Sequence, residues 1–261
     1  MRRAALTSLL ASALAWSCRS GPPPSQFPDA PVVLVSIDTL RADHLPLYGY
    51  AAGTTPNLDR LGREGIVFED VYSHCPLTLP AHASMLTGLL PPHHGVRDNI
   101  GFRLAPEHAT LATRFRGAGL HTGGAVSAYV LRQATGIGQG FDFYDDAIEV
   151  EGGTESIGNL QRDGAVTVEA LSRWIGGQGG ARFFAFLHLY EPHSPYTPPP
   201  RHQGHALAYD GEIAYADELV GRLLDALQKG GLYDRAIIAV TSDHGEGLGD
   251  HGEAEHGIFL Y

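Results

Sequence analysis

Apolar positions follow two rhythms along this chain. Short unbroken runs, Pro31 to Ile37 (PVVLVSI), Phe183 to Leu189 (FFAFLHL) and Ala236 to Thr241 (AIIAVT), read as strands buried on both faces of a parallel sheet. Ala125 to Tyr129 reads as a further strand, and the alternating Ile66 to Tyr72 (IVFEDVY) as another. Between them the spacing turns helical. Gly211 to Leu227 places Ile213, Ala216, Leu219, Val220, Leu223, Leu224 and Leu227 on one stripe, and Gly164 to Ile175 is amphipathic. Leu111 to Gly119 is a short helix, and Thr55 to Gly65 carries Pro56 near its start and Gly65 at its end. Strands separated by helices predict an α/β fold, with a mostly parallel central sheet flanked by helices on both faces.

The first residues obey neither rhythm. Arg2 and Arg3 precede an apolar stretch from Ala4 to Trp16, the length of an export signal and short for a membrane span. Two readings stand: a cleaved signal peptide, or a lipoprotein signal in which Cys18 is lipidated and tethers the protein to a membrane. Either places the protein outside the cytoplasm, periplasmic, extracellular or membrane-anchored. Residues 1–18 are therefore read as the signal, 19–30 as a linker, and 31–261 as one domain.

Composition narrows the chemistry. An apolar content of 43% supports a sizeable core and excludes a disordered chain. A formal net charge of −11 disfavours nucleic acid as a partner. The chain has 14 histidines but only 2 cysteines, so a metal here is held by imidazole and carboxylate, not by a thiolate cluster.

Polar residues gather just after the strands, where open α/β sheets place their ligands. The first strand ends in Ser36-Ile37-Asp38-Thr39, and the run at 183–189 leads into Tyr190-Glu191-Pro192-His193-Ser194-Pro195-Tyr196. The last leads into Ser242-Asp243-His244-Gly245-Glu246, with His251 and His256 in the glycine-rich loop beyond. Asp243 and His244 side by side, with a glycine next, can turn a carboxylate and an imidazole onto one ion, and Asp38 offers another oxygen. His251 reads as surface loop. Cys75 to Gly88 (CPLTLPAHASMLTG) ends in a short helix closed by Gly88, with Thr78 at or just before its N-terminus. Thr78 there is either a helix cap or, with a metal on its oxygen, a nucleophile.

The order of these motifs resembles the sulfatases and their relatives in the alkaline phosphatase superfamily: VLVSIDTLRADHLPLYGY, TLPAHASMLTG, HHGVRDN, LYEPHSPY and TSDHGEGLGDHG, spread from Val32 to Tyr261. Sulfatases carry a cysteine or serine followed by x-Pro-Ser-Arg and later Thr-Gly, and that residue is oxidised to formylglycine. Counting back from Thr87-Gly88, the corresponding position is Thr78, the proline is Pro80, and His82 replaces the arginine; Cys75 lies three residues too early. A threonine cannot give the formylglycine aldehyde, and threonine nucleophiles mark the phospho-branches of that superfamily. The resemblance implies Asp38, Thr78, Asp243 and His244 as ligands of a catalytic divalent metal. It implies His193 as a substrate-binding histidine, and His256 as a group that binds substrate, protonates the leaving group or holds a second metal. Arg97 and Asn99 are further substrate-side candidates.

The resulting expectation is a metal-dependent hydrolase, or phosphoryl-group transferase, acting on a small anionic ester. Thr78 attacks, and phosphate mono- or diesters or phosphonates are favoured over sulfates. The metal is Zn²⁺, Mn²⁺, Ca²⁺ or Mg²⁺, the histidines favouring the first two over Ca²⁺. Two rival readings remain: a true sulfatase, and a non-catalytic, metal-stabilised binding module. Because the chain ends at Tyr261 soon after His256, while that family continues into more sheet and a C-terminal subdomain, the further expectation is a truncated catalytic domain.

Overall fold

β-Branched and aromatic runs pair into one sheet in the computed structural model, which describes residues 27–149 and 160–257. The export-signal reading, Cys18 and most of the linker lie outside these residues. The strands are β1 (Val32–Ile37), β2 (His121–Val126), β3 (Phe143–Asp145), β4 (Phe183–Leu189) and β5 (Ile237–Ser242). All pair in parallel, in the order β3-β2-β4-β1-β5. Helices α1 (Pro56–Glu64), α2 (Thr78–Thr87), α3 (Pro91–His94), α4 (Leu111–Gly117), α5 (Gly164–Gly176) and α6 (Ala208–Lys229) supply the layers.

Strand alternation sorts the core into two halves. Val33, Val35 and Ile37 of β1, with Phe183, Ala185, Leu187 and Leu189 of β4, face α5 and α6. Phe184 and Phe186 of β4, with Val126 of β2, face Leu79, Ala83 and Leu86 of α2 and Ala112 of α4. Helices thus cover both faces, as the pattern predicts. On the α2 face the alternation continues to His188, which β4 places directly beside Ser36 of β1. A histidine therefore occupies a core position one step before the strand ends.

Two expectations need correcting. Ile66–Tyr72 is not a strand. No other strand among the described residues pairs with it, and Ile66, Phe68, Val71 and Tyr72 stay exposed. Alternation describes one face of a strand, but a strand forms only where a neighbour accepts its ladder. The run read as a strand at Ala125–Tyr129 lies mostly beyond β2, which starts at His121 and ends at Val126; Tyr129 already opens a 3₁₀ turn. Gly123 and Gly124 made the start of that strand hard to read. They are needed because Trp174 and Tyr144 pack onto the backbone: a Cβ would lie 2.5 Å from the Trp174 ring at Gly123 and 2.7 Å from the Tyr144 ring at Gly124.

Candidate active site

Because β4, β1 and β5 are adjacent and parallel, their three loaded ends open side by side. Ile37 lies level with Leu189 on one side and Ser242 on the other, so Asp38 emerges between Tyr190 and Asp243. The Asp38 amide donates to the Leu189 carbonyl at 2.9 Å, carrying the sheet ladder one residue further. Thr39 then takes a left-handed conformation (φ 55°), an unfavourable state for a β-branched residue. Its neighbours hold it there. The Thr39 amide donates to Asp243 Oδ1 at 3.2 Å, and the Tyr209 hydroxyl of α6 donates to the Thr39 carbonyl at 2.6 Å.

Asp38, Asp243 and His244 are buried and bring one ligand atom each to within 4.8 Å of the others. The His244 Nδ1–H donates to the Gly245 carbonyl at 3.0 Å, which leaves Nε2 as a bare lone pair. That lone pair faces Asp243 Oδ2 at 3.3 Å and Asp38 Oδ1 at 3.6 Å. Among the described residues all three atoms lack a hydrogen-bond partner. Two carboxylate oxygens and an imidazole lone pair turned toward one another in a buried site repel. Burial and the Asp38 charge push the Asp243 carboxyl well above the usual carboxylate range. Burial works against Asp38 as well, yet His188, 3.4 Å from its Oδ2, and the imidazoles of His193 and His244 hold it below that range. Burial pushes His244 down, toward the neutral form a metal binds. A divalent cation is the species this donor set fits.

Thr78 stands at the start of α2, and of the two readings its sequence leaves open, the helix cap fails. Leu77 is the N-cap residue, without a side-chain bond, and Asn99 Oδ1 accepts from the Leu79 amide at 2.8 Å instead. The Thr78 hydroxyl is left to face Asp38 Oδ2 at 3.4 Å. Gly88, in the left-handed conformation (φ 71°), closes the helix as its sequence predicts. One turn into α2, the His82 Nδ1–H donates to the Thr78 carbonyl at 2.7 Å, and Nε2 accepts from Ser36 Oγ at 2.9 Å. Burial pushes His82 down to about 4, so it is a neutral strut under the site. Cys75 contributes nothing to this cluster: its carbonyl accepts from Ser73 Oγ at 2.9 Å, and burial raises its thiol above the usual range.

His193 and His256 complete one wall. The Tyr190 ring stacks on His193 at 4.3 Å, His193 meets His256 edge-on at 4.8 Å, and His256 lies 4.5 Å from His244 between ring centres. The His193 Nδ1–H is held by the Ser194 carbonyl at 2.6 Å, and the His256 Nδ1–H by Glu246 Oε1 at 3.1 Å. Burial lowers the pKa of His193. Burial opposes the charge on His256 too, but the Glu246 carboxylate outweighs it and raises that pKa. Arg97 is exposed on the loop after α3, and His251 lies exposed in a 3₁₀ turn.

The structure thus brings together Asp38, Thr78, Asp243, His244, His193 and His256, and puts Asn99 on the end of α2. Sequence reasoning missed His188 and Glu246 and assigned no task to His82. His188 had one available signal, an imidazole inside an otherwise apolar strand. Glu246 had none beyond its nearness to Asp243.

A family model described as Sulfatase matches residues 31–258. The chain is 24% identical over 318 residues to an arylsulfatase of Clostridium perfringens, covering 87% of this chain and 65% of that protein. It is 25% identical over 327 residues to the multifunctional alkaline phosphatase superfamily protein PehA of Trinickia caryophylli, covering 84% and 64%. The phosphonate monoester hydrolase of Agrobacterium radiobacter has the same fold, with a TM-score of 0.72 at 22% identity over 88% of this chain and 66% of that one. The chain spans just under two thirds of the length of these two curated relatives.

Proposed function

Starting from the chain's membership of the sulfatase family, we propose that it is a metal-dependent ester hydrolase in which Thr78 is the nucleophile and phosphate mono- or diesters or phosphonates are the preferred substrates. The observation that carries this reading is the convergence of three buried, partnerless ligand atoms beside the Thr78 hydroxyl. Asp38, Asp243 and His244 would hold the ion, with Thr78 beside it. When bound, a divalent ion supplies Lewis acidity, polarising the ester's oxygens and lowering the pKa of an adjoining hydroxyl.

The chain's own residues do the rest. α2 presents its N-terminal turn, where the backbone dipole favours negative charge on Thr78 Oγ1. Asp38 Oδ2 orients that oxygen, which releases its proton to solvent and attacks phosphorus. A Thr78–O–P bond forms as the bond from phosphorus to the alcohol oxygen breaks. The departing oxygen takes a proton from His256 or His193. His256 is the better placed donor, because Glu246 fixes its ring through Nδ1 and leaves Nε2 for the leaving group. Water then cleaves the Thr78–O–P bond and returns a proton to the threonine. His82, between Ser36 and the Thr78 carbonyl, keeps the helix start in place.

Matched p-nitrophenyl phosphate, bis-p-nitrophenyl phosphate and p-nitrophenyl sulfate, assayed with Zn²⁺, Mn²⁺, Mg²⁺ and Ca²⁺, test the reading. A phosphate or phosphodiester should lead the sulfate in kcat/KM by roughly tenfold or more. Thr78→Ala should lose on the order of a thousandfold in kcat, whereas Cys75→Ala keeps most of it. The similarity to an arylsulfatase supports a second reading, a true sulfatase. It replaces the first if Cys75 is the essential residue or is found as formylglycine by mass spectrometry. Metal-loaded protein that turns over none of the three esters would be a binding module.

A further inference from the structure

Behind His193, away from the three metal-ligating side chains, lies a cavity of about 330 Å³ whose walls include Tyr190, Glu191, His193, Glu212, Tyr215 and Asp163. Its size suits a small organic group. Three of these residues are carboxylates, and among the described residues no lysine or arginine lines the cavity. Glu191 is the informative one. It is 7% exposed, its Oε1 accepts from the Gly164 amide at 2.9 Å, and its Oε2 is buried with no hydrogen-bond partner among the described residues. α5 opens with a glycine at this point, where a Cβ would lie 2.7 Å from Oε2. Glu212 is 5% exposed and accepts from the Thr197 amide at 2.8 Å. Asp163 caps α5 through the Ala165 amide at 2.7 Å and accepts from the Tyr215 hydroxyl at 2.6 Å.

We propose that this cavity binds an organic ammonium carried on the leaving group of the ester, held by Glu191 and Glu212 with Asp163 beside them. The inference rests on the hydrolase reading above, since it is His193 that joins the cavity to the reacting centre. His193 lines the cavity and meets His256, which packs on His244. The departing half of an ester held at the metal ligands and at His193 is therefore the half that reaches the cavity. An ammonium suits it better than a second metal. A hard divalent ion needs several oxygens converging on one point. Among the described residues the only such group of three is Asp38, Asp243 and His244, so the three cavity carboxylates do not converge on one point. An alkylammonium spreads its charge over a larger surface and can meet separated carboxylates and the tyrosine walls together. Burial, with the Asp163 charge adding to it, pushes both Glu191 and Glu212 up to about 7, a cost that a bound cation would offset.

Equilibrium binding of choline to the intact protein at pH 8, followed by calorimetry, tests this without turnover. The neutral isostere 3,3-dimethylbutanol is the control. Choline should bind at least tenfold more tightly than the alcohol. Glu191→Gln and Glu212→Gln should each weaken choline by about tenfold, while Glu218→Gln, outside the cavity, leaves it unchanged. Phosphocholine should then exceed 3,3-dimethylbutyl phosphate in kcat/KM by about tenfold, and Glu191→Gln should erase that preference. Equal binding of choline and the alcohol overturns the proposal, and so does displacement of choline by millimolar Mg²⁺ or Ca²⁺, which would make the cavity an inorganic cation site. Choline binding without any preference for phosphocholine overturns the leaving-group assignment and makes the ammonium a separate ligand. Thr78-dependent hydrolysis of p-nitrophenyl phosphate with no choline binding sinks the cavity inference alone. Loss of that hydrolysis in metal-loaded protein sinks the hydrolase reading instead.

Discussion

Asp243 shows how a single side chain can be both costly and necessary. Its carboxylate is buried against Asp38, and its Oδ2 has no hydrogen-bond partner among the described residues. Without an ion the two carboxylates oppose the fold, and on the proposed reading they would be the ligands of one. Asp243→Asn should therefore lower metal stoichiometry to near zero, measured on purified protein by elemental analysis. The melting temperature of the chelator-treated variant should equal or exceed that of chelator-treated wild type, while the rise caused by added metal disappears. That rise in wild type should correspond to roughly 3 kcal/mol at a hundredfold excess over Kd. An unchanged metal content in the variant would remove Asp243 from the site. Asp38, Asp243 and Thr78 were legible in the sequence because each sits where a strand or helix begins or ends. His188 was not, because its function depends on which strand lies beside it.

α1 is an element whose start is set from elsewhere in the chain. Its sequence offers Thr55 and Pro56, a reasonable local signal, yet the Thr55 side chain turns to Asp59 and caps nothing. The first-turn amides of Asn57 and Leu58 donate instead to Asp217 of α6, at 3.1 Å and 2.8 Å, and Asn57 Nδ2 adds a bond of 2.9 Å. Asp217→Ala would leave these donors without their acceptor, and should cost about 2–3 kcal/mol, read from the midpoint of urea unfolding. Metal binding should be unchanged, because α1 touches none of the ligands. A loss under about 0.5 kcal/mol would show that water replaces the carboxylate. α1, α2, α4, α5 and α6 were all legible as helices from apolar spacing, proline and glycine. The partner that caps α1 was not, since 160 residues separate Asn57 from Asp217.

The whole molecule carries a formal charge of −11 and buries several carboxylates, so its stability should depend on pH in an unusual direction. Glu191 and Glu212 both have folded-state pKa values raised from 4.5 to about 7. Below about 4.5 each is protonated whether folded or unfolded, and there is no penalty. As pH rises from there toward 7 the unfolded chain loses protons that the folded chain keeps, so stability falls; above about 7 the loss levels off. For Glu191 alone the loss is on the order of 3 kcal/mol. The melting temperature of metal-free protein should thus decline between pH 5 and 8, and Glu191→Gln should raise it at pH 8 while changing it little at pH 5. A variant equally stabilised at both values would place the cause elsewhere.

Short-range pattern was enough to establish the α/β class, the helix-covered parallel sheet and the residues that end its strands. Each of these follows from short unbroken apolar runs and the 3.6-residue spacing of helices, which the chain carries locally. The site itself needed the sheet order. Asp38, Asp243 and His244 meet because β1 lies between β4 and β5, a fact held by hydrogen bonds between segments some 200 residues apart. The same order put His188 under Asp38 and Glu191 against α5. Ile66–Tyr72 marks the opposite case, where a clear local rhythm found no neighbouring strand and stayed an exposed, irregular segment. Local preference can propose a strand, but only a partner at hydrogen-bonding distance makes one.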